Sequence, residues 1–276
     1  MSDKSFRIRL WGTRGSLPVS GRQFRAFGGN TICVEMQCGP HRLLFDAGSG
    51  LREAGDALLA EGVADIDIFF SHFHYDHVIG LPYFVPLYKS RAAVTLWSGH
   101  MGPKMTTREM VRQLMRPPWF PVEPDICSAR VETRDFHPGD VLHPRPGITI
   151  RTANLVHPGG AVGYRVEWGG RSVVMVTDTE HTPDIFDPVV LKLIDGCDLF
   201  LYDCTYLDSE MERYRGYGHS SWQQAVRLAK LAQTKSVGFI HHLPARTDDE
   251  LLDIEKQAQA DFPGAFAGRD GQVIDL

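Results

Sequence analysis

Residues 71–77 read SHFHYDH, directly after the apolar run DIDIFF at 65–70. Three histidines and an aspartate fall between His72 and His77. In extended backbone, side chains two apart share a direction. His72 and His74 are therefore expected to converge on one cation, while Asp76 and His77, past the strand, turn toward a second. Neutral imidazole and carboxylate are ligands that zinc accepts, with Zn–N distances of about 2.0–2.1 Å. A lone histidine at a strand end reads as an ordinary hydrogen-bonded residue. Four ligand-type residues in six positions read as half of a two-metal site. Further ligands should then stand at other strand ends, where a rigid element aims them into a cleft. His157 closes TIRTANLVH before Pro158-Gly159-Gly160, Asp178 closes SVVMVTD, and the pair His241-His242 closes SVGFIHH. Adjacent strand residues face opposite ways, so one histidine of that pair reaches a metal and the other does not.

The rest of the chain limits the function classes. Of 276 residues, 43% are hydrophobic and 23% charged, which suits a sizeable core. The net charge of −5 comes without any basic block, and this argues against a long nucleic acid partner, whose phosphates need neutralising. No run approaches the roughly 20 apolar residues of a membrane span. The start MSDKSFRIRL lacks the apolar core of a secretory signal, so a cytoplasmic location is expected. Five cysteines without a CxxC pair fit reduced, buried thiols.

Strand-like runs dominate the first half (FRIRLWG, TICVEMQC, HRLLFDAG, IDIFFSH), with a helix over SGLREAGDALLAEG. The second half repeats the theme with GITIRTANLVH, AVGYRVEW, RSVVMVTD, DLFLYDCT and KSVGFIHH, followed or separated by capped helices at SSWQQAVRLAKLAQT and TDDELLDIEKQAQ. Residues 99–127 interrupt this order. A capped helix, TTREMVRQLM, leads into RPPWFPVEPD with exposed-looking Trp119 and Phe120, an excursion that serves as packing trim or as a lid.

With these residues in order, the chain resembles the metallo-β-lactamase-fold hydrolases over nearly its whole length. The resemblance rests on DAGSG at 46–50, HxHxDH at 72–77, His157, VTDT at 176–179 and the late strand ending in His241. It implies an α/β fold, a four-layer αββα sandwich formed by one domain over residues 1–276. It also implies two divalent metal ions, zinc first, with manganese or iron tolerated. His72, His74 and His157 would hold one ion, Asp76, His77 and His241 the other, and Asp178 would bridge them. Asp46 is similar to the family's supporting carboxylate, although a plain turn aspartate reads the same way. His242 becomes the supporting or packing neighbour. His41, His100, His137, His143 and His181 are assigned to surface or structure.

The segment YGHSSWQQAVRLAKLA at 217–232 resembles the GHST-helix segment of RNase Z and related phosphodiesterases. There the histidine, here His219, protonates the leaving oxygen. Asp76, Asp178 and His219 are thus the implied catalytic residues, acting with metal-activated hydroxide. A histidine capping the following helix is the competing reading of His219. RNase Z carries a long arm that grips tRNA, whereas only VHPGGAVGYRVEWGGRSVVMVTD joins His157 to Asp178 here, leaving no room for one. A small phosphodiester such as a cyclic nucleotide is the expected substrate, with no large nucleic acid and no membrane partner. A thioesterase or lactonase is the alternative, and tRNA 3′-processing or a non-catalytic sensor ranks below it. The opening RLWGTRGSLPVSG…GGNT is a turn whose N–H groups could hold an anion or serve structure alone. Relatives of this branch are often dimers, so a homodimer is possible.

Overall fold

Runs that alternate in burial become strands with one face on each of two cores, and the computed structural model describes this for residues 5–276. The chain lays down β1 (Phe6–Gly12), β2 (Cys33–Cys38), β3 (His41–Phe45), α1 (Leu51–Ala60), β4 (Asp65–Phe69), α2 (Tyr75–Val78), β5 (Ala93–Ser98), α3 (Thr107–Leu114) and β6 (Arg130–Asp135). A second half follows with β7 (Val141–Leu142), β8 (Thr149–Leu155), β9 (Ala161–Trp168), β10 (Arg171–Val176), α4 (Pro188–Ile194), β11 (Leu199–Asp203), α5 (Trp222–Leu231), β12 (Ser236–Ile240), α6 (Asp248–Asp261) and β13 (Ala265–Ala267). The last strand, β14 (Val273–Asp275), returns to the first half. Two seven-stranded sheets result, in the orders β14-β1-β2-β3-β4-β5-β6 and β13-β12-β11-β10-β9-β8-β7.

Their residues sort by period two. On β3, Leu43 and Phe45 enter the core between the sheets, and Leu44 joins the layer under α1 and α3. On β10, Val173 and Met175 face the same inner core, and Val174 and Val176 pack toward α4 and α5. Both faces of these strands are covered, so SVVMV reads as a continuous apolar run rather than an alternating one. Helix, sheet, sheet and helix stack in that order, the αββα sandwich expected.

Helix caps match the sequence closely. Thr106 with Glu109 and Thr247 with Glu250 form capping boxes at α3 and α6, and Ser221 caps α5 by accepting from the Gln224 N–H. Trp119 is exposed as expected, whereas Phe120 is half-buried, its ring edge-on to Tyr83 at 5.8 Å. The five cysteines are free thiols, four of them buried. Among the described residues no helix is long and apolar enough to cross a membrane.

Candidate metal centre

Parallel register decides where the side chains meet. Phe45 pairs with Phe69, so β3 and β4 end side by side. Val176 pairs with Tyr202 and Asp203 with Ile240, so β10, β11 and β12 also end together. Antiparallel β9 separates β8 from β10, which leaves those two running the same way. Carboxyl ends of such strands are where open α/β sheets place ligands. Here they deliver Asp46, His157, Asp178, Asp203 and His241 beside the 71–77 segment. Two hydrogen bonds tie the sheets at this edge: Tyr164 Oη donates to Phe70 O at 2.5 Å, and Val162 N to Ser71 O at 2.9 Å.

Asp46, Asp178 and His241 have φ of 62°, 55° and 59°, the left-handed region. Such backbone costs on the order of 1–3 kcal/mol per residue and persists where surrounding structure over-determines it.

The ligand-type atoms of His72, His74 and His157 lie within 4.8 Å of one another, as do those of Asp76, His77 and His241. Asp178 stands between the two triads. Its Oδ1 is 3.8 Å from Nε2 of both His72 and His157 and 3.3 Å from His241 Nε2, and its Oδ2 is 3.2 Å from His77 Nε2. Neighbours fix the ring orientations. His77 Nδ1 donates to Asp46 Oδ2 at 2.9 Å, and Ser71 N and Oγ donate to the same carboxylate at 2.7 and 2.8 Å. His157 Nδ1 donates to Gly218 O at 2.8 Å, and His241 Nδ1 lies 2.8 Å from Thr205 Oγ1. Nε2 of His72 and of His77 are then buried without any well-aligned hydrogen bond. An unpaired buried polar atom costs about 1–3 kcal/mol. Two of them beside a buried carboxylate are what cation ligation would satisfy, so the donor set fits a pair of divalent ions. Imidazole-rich sets suit zinc, and manganese or iron accepts the same nitrogen and oxygen donors.

The electrostatics agree with that fit. Burial would push the Asp178 carboxyl up, yet the imidazoles of His241, His77 and His72 hold it well below the usual range. Burial would likewise push the Asp76 carboxyl up, and the imidazoles of His77 and His241 hold it well below the usual range. Conversely, burial would lower His77, but Asp178, Asp76 and Asp46 raise it well above the ordinary histidine value. His241 is raised to about 9 against its burial, by Asp178 and its hydrogen bond to Asp76. The cage is rich in negative charge.

Close backbone approach shapes two edges of it. A Cβ on Gly15 would lie 2.1 Å from His241 Cε1, and one on Gly218, whose φ is +85°, would lie 2.2 Å from His157 Nδ1. Next to Gly218, His219 donates from Nδ1 to Asp203 Oδ2 at 2.9 Å, with Asp178 Oδ1 at 3.7 Å. The His219 ring stacks on His241 at 4.7 Å and lines a cavity of about 520 Å³ shared with His74, Asp76, Asp178 and His241. His181 bonds Ser220 Oγ at 2.6 Å, bracing the residue after His219.

Several sequence expectations need correction. His72 and His74 do not ride on a strand end: β4 stops at Phe69, and Asp76 and His77 lie in the short α2. The bonds from Ser71 to Asp46 and Val162 turn the chain early, and convergence comes from that bend instead. Of the two readings of His242, packing is the one its ring adopts, donating to Gly268 O at 3.0 Å and lying edge-on to Phe27. Of the two readings of the glycine-rich turn, its N–H groups fit the structural one: Thr13, Arg14 and Gly15 donate to backbone carbonyls, Ser16 to Asp76 and Asn30 to Asp270. Asp203 escaped the sequence reading. Its signal was available, since DLFLYDCT ends in an aspartate as SVVMVTD does.

Comparison with known proteins bears on the family and the fold. The family model described as Beta-lactamase superfamily domain matches residues 41–242. A Ribonuclease Z of Natronomonas pharaonis is 23% identical over 318 aligned residues, covering 99% of this chain and 98% of that protein. One from Bradyrhizobium sp. (strain ORS 278) is 26% identical, covering 96% of this chain and 98% of the relative. The metallo-beta-lactamase fold protein YhfI from Bacillus subtilis superposes with a TM-score of 0.74 at 18% identity, over 99% of this chain and 100% of its own. A diphosphatase from the PhnP family gives 0.71 at 19%, over 99% and 97%. Human tRNase Z, short form, gives 0.69 at 19%, over 97% and 98%. At such identities the solved structures speak for the fold, while the family match spans most of the chain. The chain belongs to the beta-lactamase superfamily and is built on the metallo-β-lactamase fold of metal-dependent hydrolases.

Proposed function

We propose that the chain is a dinuclear metal-dependent phosphodiesterase acting on a small phosphodiester, a cyclic nucleotide being one example. The observation that carries the reading is the placement of His219, held by Asp203, next to the carboxylate between the two triads. His72, His74 and His157 would hold one ion and Asp76, His77 and His241 the other, with Asp178 shared and Asp46 fixing His77. When bound, the ions supply positive charge for the phosphate oxygens and bring the pKa of water down toward about 7.

The chain's own groups do the rest. Asp203 accepts the Nδ1 proton of His219 and turns the other ring nitrogen to the cleft. From there His219 gives its proton to the departing oxygen as the bond from phosphorus to that oxygen breaks. A new bond forms between phosphorus and the oxygen of a water that has given up one proton to solvent; a linear diester yields a phosphomonoester and an alcohol, and a cyclic nucleotide yields one phosphomonoester that keeps the freed hydroxyl. General acid assistance of this kind contributes typically about 10²–10⁴-fold.

The name Ribonuclease Z on the curated relatives raises tRNA as a second substrate. Three features support a small substrate instead. The alignment with the Natronomonas pharaonis protein runs over 318 positions against 276 residues here, so more than forty of its positions have no counterpart. Between His157 and Asp178, β9 and β10 are joined only by Gly169 and Gly170, with no arm. The net charge of −5 also offers little to a long polyanion.

The test is a turnover panel on zinc- and manganese-loaded protein: bis(p-nitrophenyl) phosphate, cyclic nucleotides, a precursor tRNA and an acyl thioester. Hydrolysis of the small diesters with little or no cleavage of the tRNA and thioester is expected. Preferred thioester turnover, or tRNA cleavage without turnover of the small diesters, would contradict the reading.

A further inference from the structure

The reaction described above leaves one wall of the site without a task. The excursion at 99–127 folds back as α3 and the turn that follows it, and with Phe73 and Tyr75 it encloses a cavity of about 390 Å³ that also touches His72 and His74. Four of the chain's eight methionines fall between 101 and 115, and three of them, Met101, Met105 and Met110, line this cavity. Leu114 and Trp119 complete the apolar side, and Trp119 is 72% exposed. The wall is firmly held, because Thr107 Oγ1 donates to Asp135 Oδ1 at 2.7 Å and joins Ser98 Oγ at 2.6 Å, tying α3 to the ends of β5 and β6. No carboxylate lines the cavity. Arg116 does, exposed and without an ion pair among the described residues.

This cavity is not the one that His219 lines. His219, Asp178 and His241 belong to the neighbouring space, and the two spaces share Phe73, His74 and Tyr75. A phosphodiester seated over the ligand cluster thus extends into both. Its leaving group lies on the side of His219, and the ester group that stays on phosphorus lies on the side of the methionines.

We propose that the cavity binds the retained ester side of the substrate and that this side carries a flat aromatic ring. The proposal rests on the phosphodiesterase reading. Methionine side chains are unbranched and polarisable, and their sulfur atoms make favourable contacts with ring edges. An exposed tryptophan offers a face for stacking. The apolar side favours an aromatic over a small alkyl substituent, and His100 and Gln113, which also line the cavity, offer hydrogen-bonding groups to a ring. The lone cation at Arg116 complements the anionic phosphate.

The test compares diphenyl phosphate with dimethyl phosphate by titration calorimetry on zinc-loaded protein, with bis(p-nitrophenyl) phosphate turnover measured on the same batch. Diphenyl phosphate should bind at least about tenfold more tightly, a difference of roughly 1.4 kcal/mol. Trp119→Ala and Met105→Gln, both away from the ligand cluster, should each reduce that preference to about threefold or less while leaving dimethyl phosphate affinity unchanged. Equal affinities in the parent protein, or a preference that survives both substitutions, would overturn the proposal. Turnover without the preference would remove the aromatic subsite and leave the phosphodiesterase reading standing. The preference without turnover would keep the subsite and remove that reading.

Discussion

His74 and His219 have different tasks, and their alanine variants separate them. His74→Ala should strip metal and abolish turnover together, because it takes one donor from a three-residue set. His219→Ala should retain the metal content of the parent and lose about 10²–10⁴-fold in kcat. An alanine variant at 219 with full activity would remove the general-acid assignment. Asp203→Asn should cost about 10–100-fold through misorientation of the same ring, without loss of metal. The ligand-type residues were legible one by one, since four of them crowd into 72–77 and His157, Asp178 and His241 each follow an apolar run. The link from Asp203 to His219 was not. Sixteen residues separate them, and their meeting depends on how the 208–218 loop folds back.

Among the elements, the joint between the two sheets is the part most open to test. Tyr164→Phe removes the hydroxyl that donates to Phe70 O and leaves a buried carbonyl unpaired. It should lower stability by about 1–3 kcal/mol in denaturant titration and weaken metal retention, since Ser71 and His72 follow directly. The glycine-rich turn carries a pH signature. Burial pushes the Asp270 carboxyl up to about 6, despite the N–H groups of Asn30 and Gly29 and the charge of Arg14. The unfolded value lies near 3.9, so the folded state binds more protons between the two. The contribution of Asp270 therefore favours folding at low pH and is lost as pH rises from about 4 to about 6. Stability curves for parent and Asp270→Asn should diverge over that window, with the parent losing ground as pH increases. Parallel curves would contradict the assignment.

Most strands with both faces buried, and the capped helices α3, α5 and α6, were readable from sequence, whereas β5 and α4 were not, although α4 has an Asp187 cap and Pro188 at its start. The others that were missed have physical reasons. Strand β6 is almost wholly exposed and therefore carries no apolar pattern, and β13 and β14 are three residues long, too short for any periodicity to show.

Across the whole molecule, two similar halves place their strand ends at one edge, and that edge is where a pair of cations would be shared. A layered fold was legible because several strands read as buried on both faces, and the four-layer order came with the resemblance carried by the ligand motifs. The substrate was not legible, because it depends on a cavity built between distant segments, the 71–78 turn, the 99–127 excursion and the 158–160 turn. The account stands or falls with the metal stoichiometry. Elemental analysis of protein loaded with zinc and then freed of unbound metal should find about two ions per chain, falling in His74→Ala and unchanged in His219→Ala. A parent protein that retains no metal would contradict the account at its centre.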